Sequence, residues 1–308
     1  MNEPSATQAV TPPGAIQRLL RNRTAIVALI VLGGIVGLSL LGPSIFRYNP
    51  EATSAEQFRP PSMEHFCGTD LNGRDVFSRV IQGARISLLV GLCGALVSFF
   101  VGTSYGLVSG YVGGRTDNVM MRLVEVLHSI PRLIIVIVAI FTFAPRLEDW
   151  LNATEITKGL VGYTKVIILI LCLGLIEWLA MARIVRGQVL ALKEQQFVLA
   201  ARALGQSHTR ILLRHLLPNL VGVIIVYLTL TIPAVILDES FLSFLGLGLN
   251  DPQASWGSLL SDGKNVINPV KSFWWLLVFP AAAMSLTLLA LNFLGDAIRD
   301  ALDPRARR

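Results

Sequence analysis

Apolar positions in this chain fall in runs too long for the core of a soluble domain. Six runs reach or approach the roughly 20 residues that carry a helix across a bilayer: 24–41, 86–109, 123–143, 163–182, 221–237 and 273–295. They are continuous rather than alternating, which predicts helices and not the strands of a membrane barrel. The expected fold is an all-α integral membrane protein with six transmembrane helices. Pro131 lies inside the third run and should kink it; Pro233 and Pro280 sit in the fifth and sixth. Gly33 and Gly37, and a ladder of Gly102, Gly106 and Gly110, recur at four-residue spacing, which suits close helix packing.

The polar connections divide the chain further. Residues 1–23 form a tail ending in Arg18, Arg21 and Arg23. Arginines before an apolar run also fit a secretory signal. No small-x-small cleavage site follows, however, and Phe46 and Tyr48 read as interfacial anchors, so 24–46 is expected to be the first span. Residues 47–84 are too polar to cross, with turn signals at Pro60-Pro61 and Asn72-Gly73. Within them Val76, Phe77, Val80, Ile81 and Ala84 share a helical face, as in a helix lying at the membrane surface. Residues 85–297 hold the other five spans, and 298–308 form a second tail.

One polar stretch inside that core, 195–219 (QQFVLAARALGQSHTRILLRHLLPN), reads as two short helices and a turn. Phe197, Ala200, Ala201 and Leu204 fall at i, i+3, i+4 and i+7, hence on one face. Gly205 is placed to end the first helix in a left-handed cap, Ser207 to cap the second, and Pro218 to begin the next segment. Small alanines on an exposed face suit close docking of a partner.

Composition supports the membrane reading. Of 308 residues, 53% are hydrophobic and 15% charged, against about 25% charged in soluble domains. The net charge of +6 calls for no nucleic-acid partner, because loops on the cytoplasmic side are enriched in Lys and Arg. The connection after the fourth run carries Arg183, Arg186, Lys193, Arg202, Arg210 and Arg214 against Glu194, and the tail carries Arg299, Arg305, Arg307 and Arg308. Connections 144–162 and 238–272 have few bases and several acids. Both termini and the 193–218 loop are therefore expected in the cytoplasm, with 47–84 and 238–272 outside.

Catalytic chemistry is hard to find. Residues 257–265 (GSLLSDGKN) have five residues between glycines and Asn265 where a phosphate loop needs a hydroxyl. Asp70, Asn72 and Asp75 miss the spacing of a calcium loop, with Ile81 at its last position. Cys67, Cys93 and Cys172 show neither metal-ligand nor disulfide spacing. His65, His128, His208 and His215 accompany no recognised nucleophile motif. The chain is expected to be no enzyme and to bind no metal or cofactor. Arg122, Glu125, His128 and Arg132 form a stripe on the third run, and Glu177 lies in the fourth. Such groups either line a path or gate, or belong to a helix end that protrudes so that they snorkel to water. Asp238 and Glu239, at the end of the fifth run, are explained by solvation. Residues 241–249 (FLSFLGLGL), before Asp251-Pro252, are too short to span and read as a re-entrant or interfacial turn.

Several blocks resemble a known family. Ala200, Ala201, Gly205, Leu217 and Pro218 match the EAA loop of type I ATP-binding-cassette importer permeases, with Leu199 in place of the usual Glu. Residues 68–88 (GTDLNGRDVFSRVIQGARISL), 182–188 (ARIVRGQ), 239–248 (ESFLSFLGLG), 255–257 with Asp262-Gly263, and 295–304 (GDAIRDALDP) are similar to the C-type subunit of the oligopeptide/dipeptide branch. The resemblance implies a bacterial inner-membrane permease that imports oligopeptides, with a dipeptide or nickel importer of the same branch as the alternative. It implies a homologous B-type permease, two cytoplasmic ATPase subunits that bind ATP and Mg, and an extracytoplasmic peptide-binding protein as partners. Phe197, Ala200, Ala201, Leu204, Gly205, Leu217 and Pro218 would then be the ATPase-coupling residues. The rival from another class is a secondary transporter, although no half-to-half repeat is visible. An intramembrane enzyme is a further rival, without a credible catalytic set.

Overall fold

The computed structural model describes residues 15–45, 48–154, 157–249, 253–268 and 270–302. Most of both tails, Phe46 and Asp251-Pro252 lie outside the described residues. The elements are α1 (Ala15–Arg21), α2 (Arg23–Ile45), α3 (Val76–Val112), α4 (Gly114–Ser129), α5 (Arg132–Asn152), α6 (Thr164–Leu192), α7 (Gln196–Ala203), α8 (His208–Ile211), α9 (Leu217–Phe244), α10 (Trp256–Asn265) and α11 (Trp275–Leu302). Five stretches are long and apolar enough to cross a membrane: α2, α3, α6 with the 3₁₀ turn before it, α8 through α9, and α11.

The sixth span differs from the expected kinked helix. Pro131 has no N–H and excludes the helical conformation from the residue before it. Ile130 is accordingly extended (φ −80°, ψ 131°), and α4 and α5 meet at 84°. Together α4 and α5 are long and apolar enough for a sixth span, broken at this corner; the 21 residues of α5 rise about 32 Å. Helix α4 runs off at an angle, so the run 123–143 straddles a corner.

At the centre α3 and α6 lie against each other. Without a hydrophobic force between helices in lipid, their contact depends on shape. A Cβ on Gly102 would sit 2.6 Å from Met181 Cβ, one on Gly106 2.5 Å from the Ala182 carbonyl oxygen, and one on Gly110 2.9 Å from that of Arg186. Gly174 of α6 answers at 2.6 Å from Val97 Cβ. The Gly33–Gly37 pair is different: a Cβ on either would meet nothing within 4 Å, so no helix among the described residues packs against it.

One end of the bundle carries a folded lobe, residues 48–75. Its Asp70 carboxylate accepts from the Arg74 backbone N–H (2.9 Å), Arg74 Nε (2.8 Å) and the Arg79 guanidinium (2.6 Å), and Arg79 also reaches Asp262 of α10 at 3.1 Å. Asp75 caps α3 by accepting from the Ser78 N–H at 2.9 Å. Phe58 stacks on Phe273, ring centres 4.2 Å apart. Residues 76–84 are thus the first turns of α3 and not a separate surface helix; Val76, Ile81 and Ala84 are buried. Burial alone would raise the Asp70 carboxyl, but the Arg74 hydrogen bonds and the charges of Arg79 and Arg74 outweigh it and hold it below the usual range. Burial, helped by the Asp75 charge, pushes the Cys67 thiol up to about 12, so it stays protonated.

Solvation does not account for Glu239. Helix α9 continues to Phe244, ends in a left-handed cap at Gly246 (φ +79°), and α10 folds back over that end. Glu239 is fully buried, taking hydroxyl donations from Ser87 (3.2 Å), Ser240 (3.3 Å) and Ser243 (2.8 Å). Residues 241–249 are mostly the last turn of α9 and its cap, with Leu249 buried.

Gly106→Val should lower stability by about 3 kcal/mol or abolish folding, since the close neighbour is backbone, whereas Gly37→Val should leave the melting temperature in detergent unchanged. Asp70, depressed in the folded state, contributes stability that is complete above its unfolded pKa of about 3.9 and is lost as pH falls through the folded value. Amides of 69–76 should therefore lose hydrogen-exchange protection in acid, and Asp70→Asn should flatten that dependence.

Candidate functional site

At the end of the bundle opposite the lobe, α3 and α6 project beyond the roughly 30 Å hydrocarbon layer; α3 alone, with 37 residues, is about 55 Å long. These ends are tied together. Asp117 at the start of α4 takes a bidentate bond from Arg186 of α6 and a hydroxyl donation from Ser109 of α3. Lys193 donates to the Gly110 carbonyl at 3.1 Å. Helix α7 hangs from this clasp. Its Val198 and Ala201 are buried with Leu107, Tyr111, Val185, Val189, Ile211 and Leu216. Tyr111 hydrogen-bonds His208 Nδ1 at 2.8 Å, and the Arg202 guanidinium lies over the Tyr111 ring, 5.1 Å from its centre.

The predicted single face of α7 divides in two. Ala201 points into the protein, while Phe197, Ala200 and Leu204 are exposed, Leu204 by 80%. The seat takes Val198 and Ala201, three residues apart, which turns positions 197, 200 and 204 outward. Gly205 does end the helix in the left-handed region (φ +70°), the Gln206 N–H bonding the Ala201 carbonyl at 3.1 Å. Ser207 occupies the cap position without a side-chain bond to the helix. The expected second short helix is not separate. Helix α8 passes through a π-turn at Leu212–Leu216 into α9, the Leu217 N–H reaching back five residues to Leu212. Pro218 is exposed in the first turn of α9, where a missing N–H is tolerated. The Asn219 side chain donates to the His215 carbonyl at 2.6 Å. Leu217 is half-buried against the α7 seat.

The charged stripe is likewise redistributed by the corner at Pro131. Arg122 and Glu125 pair on the exposed face of α4 (3.2 Å). His128 accepts from Arg183 at 3.2 Å. Arg132, at the start of α5, contacts Glu177 of α6 at 3.4 Å and Asp238 of α9 at 3.1 Å. Both acids are largely buried, with side chains 18% and 15% exposed, while Arg132 is 56% exposed. One base thus joins two acids from three helices, beside a cavity of about 270 Å³ lined by His128, Pro131, Arg132 and Glu177. Asp238, read from the sequence as a solvated residue at the end of the fifth run, is the member that this reading failed to place: α9 continues past it to Phe244, which brings it beside Arg132.

A polytopic helical bundle with a short amphipathic helix fixed at one end defines an integral membrane protein. Residues 102–308 match the family model of the binding-protein-dependent transport system inner membrane component, and residues 14–61 match the N-terminal TM domain of oligopeptide transport permease C. This chain belongs to that inner membrane component family of ABC importer permeases. It is 46% identical to the oligopeptide transport system permease protein OppC of Escherichia coli (strain K12), over 95% of this chain and 91% of that protein. It is 44% identical to the dipeptide transport system permease protein DppC of Bacillus subtilis (strain 168), over 96% and 86%. A chain of the MetNI methionine ABC transporter in an inward-facing conformation shares the fold at TM-score 0.55 and 17% identity, covering 73% of this chain and 96% of that one.

The cluster makes a charge-balance prediction. Arg132→Met strands two carboxylates and should cost about 1–2 kcal/mol, discounted for the exposure of Arg132. Adding Glu177→Gln and Asp238→Asn should restore the melting temperature. Equal melting of wild type and Arg132→Met would remove the pairing as a structural element.

Proposed function

We propose that this chain is the C-type permease of an ATP-driven oligopeptide importer, lining half of the path beside a homologous B-type permease. In this reading α7 and both termini face the cytoplasm, and the 48–75 lobe faces outward toward a peptide-binding protein. Two ATPase subunits bind ATP and Mg and dock on α7; this chain binds no cofactor and catalyses nothing itself. The reading rests on one observation above others: the exposed Phe197–Ala200–Leu204 stripe is backed by the buried Val198–Ala201 seat. A small apolar face held so firmly transmits displacement instead of absorbing it. Closure of the ATPases around ATP would move α7, and α3 and α6 would carry that motion into the bundle. The Arg132–Glu177–Asp238 cluster joins the helices such a motion must separate, and its contacts suit a gate. The oligopeptide assignment draws on the named relatives, a DppC among them, so dipeptides are the second substrate reading.

Ala200→Trp adds bulk to the open side of α7 and should leave insertion intact. In proteoliposomes with ATPases and binding protein, it should reduce peptide-stimulated ATP hydrolysis at least about tenfold, within the range of ordinary coupling energies. Unchanged stimulation would mean that α7 is only a loop. Transport that persists without ATPases would favour a secondary transporter.

A further inference from the structure

A pocket of about 440 Å³ opens at the lobe end, where α2, residues 48–50 and the start of α3 meet. Ser39, Tyr48, Asn49, Ser78, Gln82 and Arg85 line it. Ser78, Ile81, Gln82 and Arg85 fall at i, i+3, i+4 and i+7, so α3 presents one continuous face to it. Arg85 is exposed and, among the described residues, has no acidic partner. Glu51 lies outside the lining but next to it in the chain after Pro50, and accepts a long 3.4 Å bond from the amide of the lining residue Gln82. The pocket therefore offers a cation, with an anion beside it. Neither the loop at the opposite end nor the charge cluster of α5 uses it.

Its depth matches a headgroup. Ser39 lies 16 residues along α2 from Arg23, a rise of about 24 Å, near the far edge of a hydrocarbon layer roughly 30 Å thick. Below Arg85 on the same face of α3 come Leu89 and Leu92, 46% and 49% exposed. On α2, Val36, one turn before Ser39 on the same face, is 40% exposed. A charged recess above an apolar lane matches the shape of a phospholipid: polar head, then chains. A free anion would make no use of the lane, and a protein loop would leave it uncovered.

We propose that this pocket is a specific site for an aminophospholipid, the phosphodiester on Arg85 and the ammonium on Glu51. Phosphatidylethanolamine supplies both charges. Phosphatidylglycerol lacks the ammonium, and phosphatidylcholine has one that cannot donate a hydrogen bond. Bound there, the lipid would join α2 to α3 at the edge of the bundle. In the orientation proposed above it belongs to the outer leaflet.

The test is native mass spectrometry of the assembled transporter in detergent, titrated separately with the dioleoyl forms of these three lipids and with inorganic phosphate. The wild type should retain one phosphatidylethanolamine more than Arg85→Ala, with Arg85→Lys in between. The other two lipids should bind at least about tenfold more weakly, and inorganic phosphate should not displace the lipid. Glu51→Gln should keep a phospholipid but lose the preference for phosphatidylethanolamine. Arg85 is exposed, so its variants should melt as wild type does. Equal lipid retention by wild type and Arg85→Ala overturns the proposal. So does displacement by millimolar phosphate, which marks a free-anion site, or release of a protein subunit instead of a lipid by Arg85→Ala.

Discussion

The contact between α3 and α6 sets the geometry of everything else. A bilayer supplies little hydrophobic drive between helices, so the two are held by the fit of backbone to backbone at Gly102, Gly106, Gly110 and Gly174. Because the approach is so close, the helices have no slack to slide. Their ends project together past the membrane, where Asp117, Arg186, Ser109 and Lys193 fix them in polar surroundings. Packing in lipid thus determines where a charged clasp forms in water.

That clasp gives α7 its meaning. A short helix in a loop has little stability of its own. This one is held because Val198 and Ala201 enter the same buried cluster as residues of α3 and α6. The bond from Tyr111 to His208 adds a polar tie at the entrance of the next span. The π-turn at Leu212–Leu216 then passes the chain into α9 without a break. Force applied to the outer face of α7 has a short, packed route to three membrane helices. At the far end, the Asp70–Arg79–Asp262 network and the buried Glu239 serve the same end by joining the lobe, α10, α3 and α9.

Much of this was legible in the sequence, and the failures share a cause. Run length and apolar composition locate spans well, since a bilayer imposes them directly. Glycine spacing marked the α3 face, yet the same spacing at Gly33 and Gly37 packs against nothing among the described residues, because spacing does not say which helix has a neighbour. The i, i+3, i+4, i+7 pattern gave α7 a face but not its phase. Val198, flanked by Phe197 and Leu199, carried no local mark of the inner side. Pro131 was read as a kink, although the extended conformation it imposes on Ile130 turns the chain by 84°. Asp238 lies more than a hundred residues from Arg132, and no local pattern joins them. Glu239 is buried by α10, a segment that follows it in the chain, which run-by-run reading cannot anticipate.

The central claim is that α7 presents one face to a partner and gives the other to its own bundle. Photo-crosslinking from single benzophenone-alanine substitutions, in membranes containing the assembled transporter, reads this directly. Probes at 200 and 204 should crosslink to an ATPase subunit, and probes at 198 and 201 should react within this chain. Crosslinks to the ATPase from 198 and 201, with none from 200 or 204, would contradict the account.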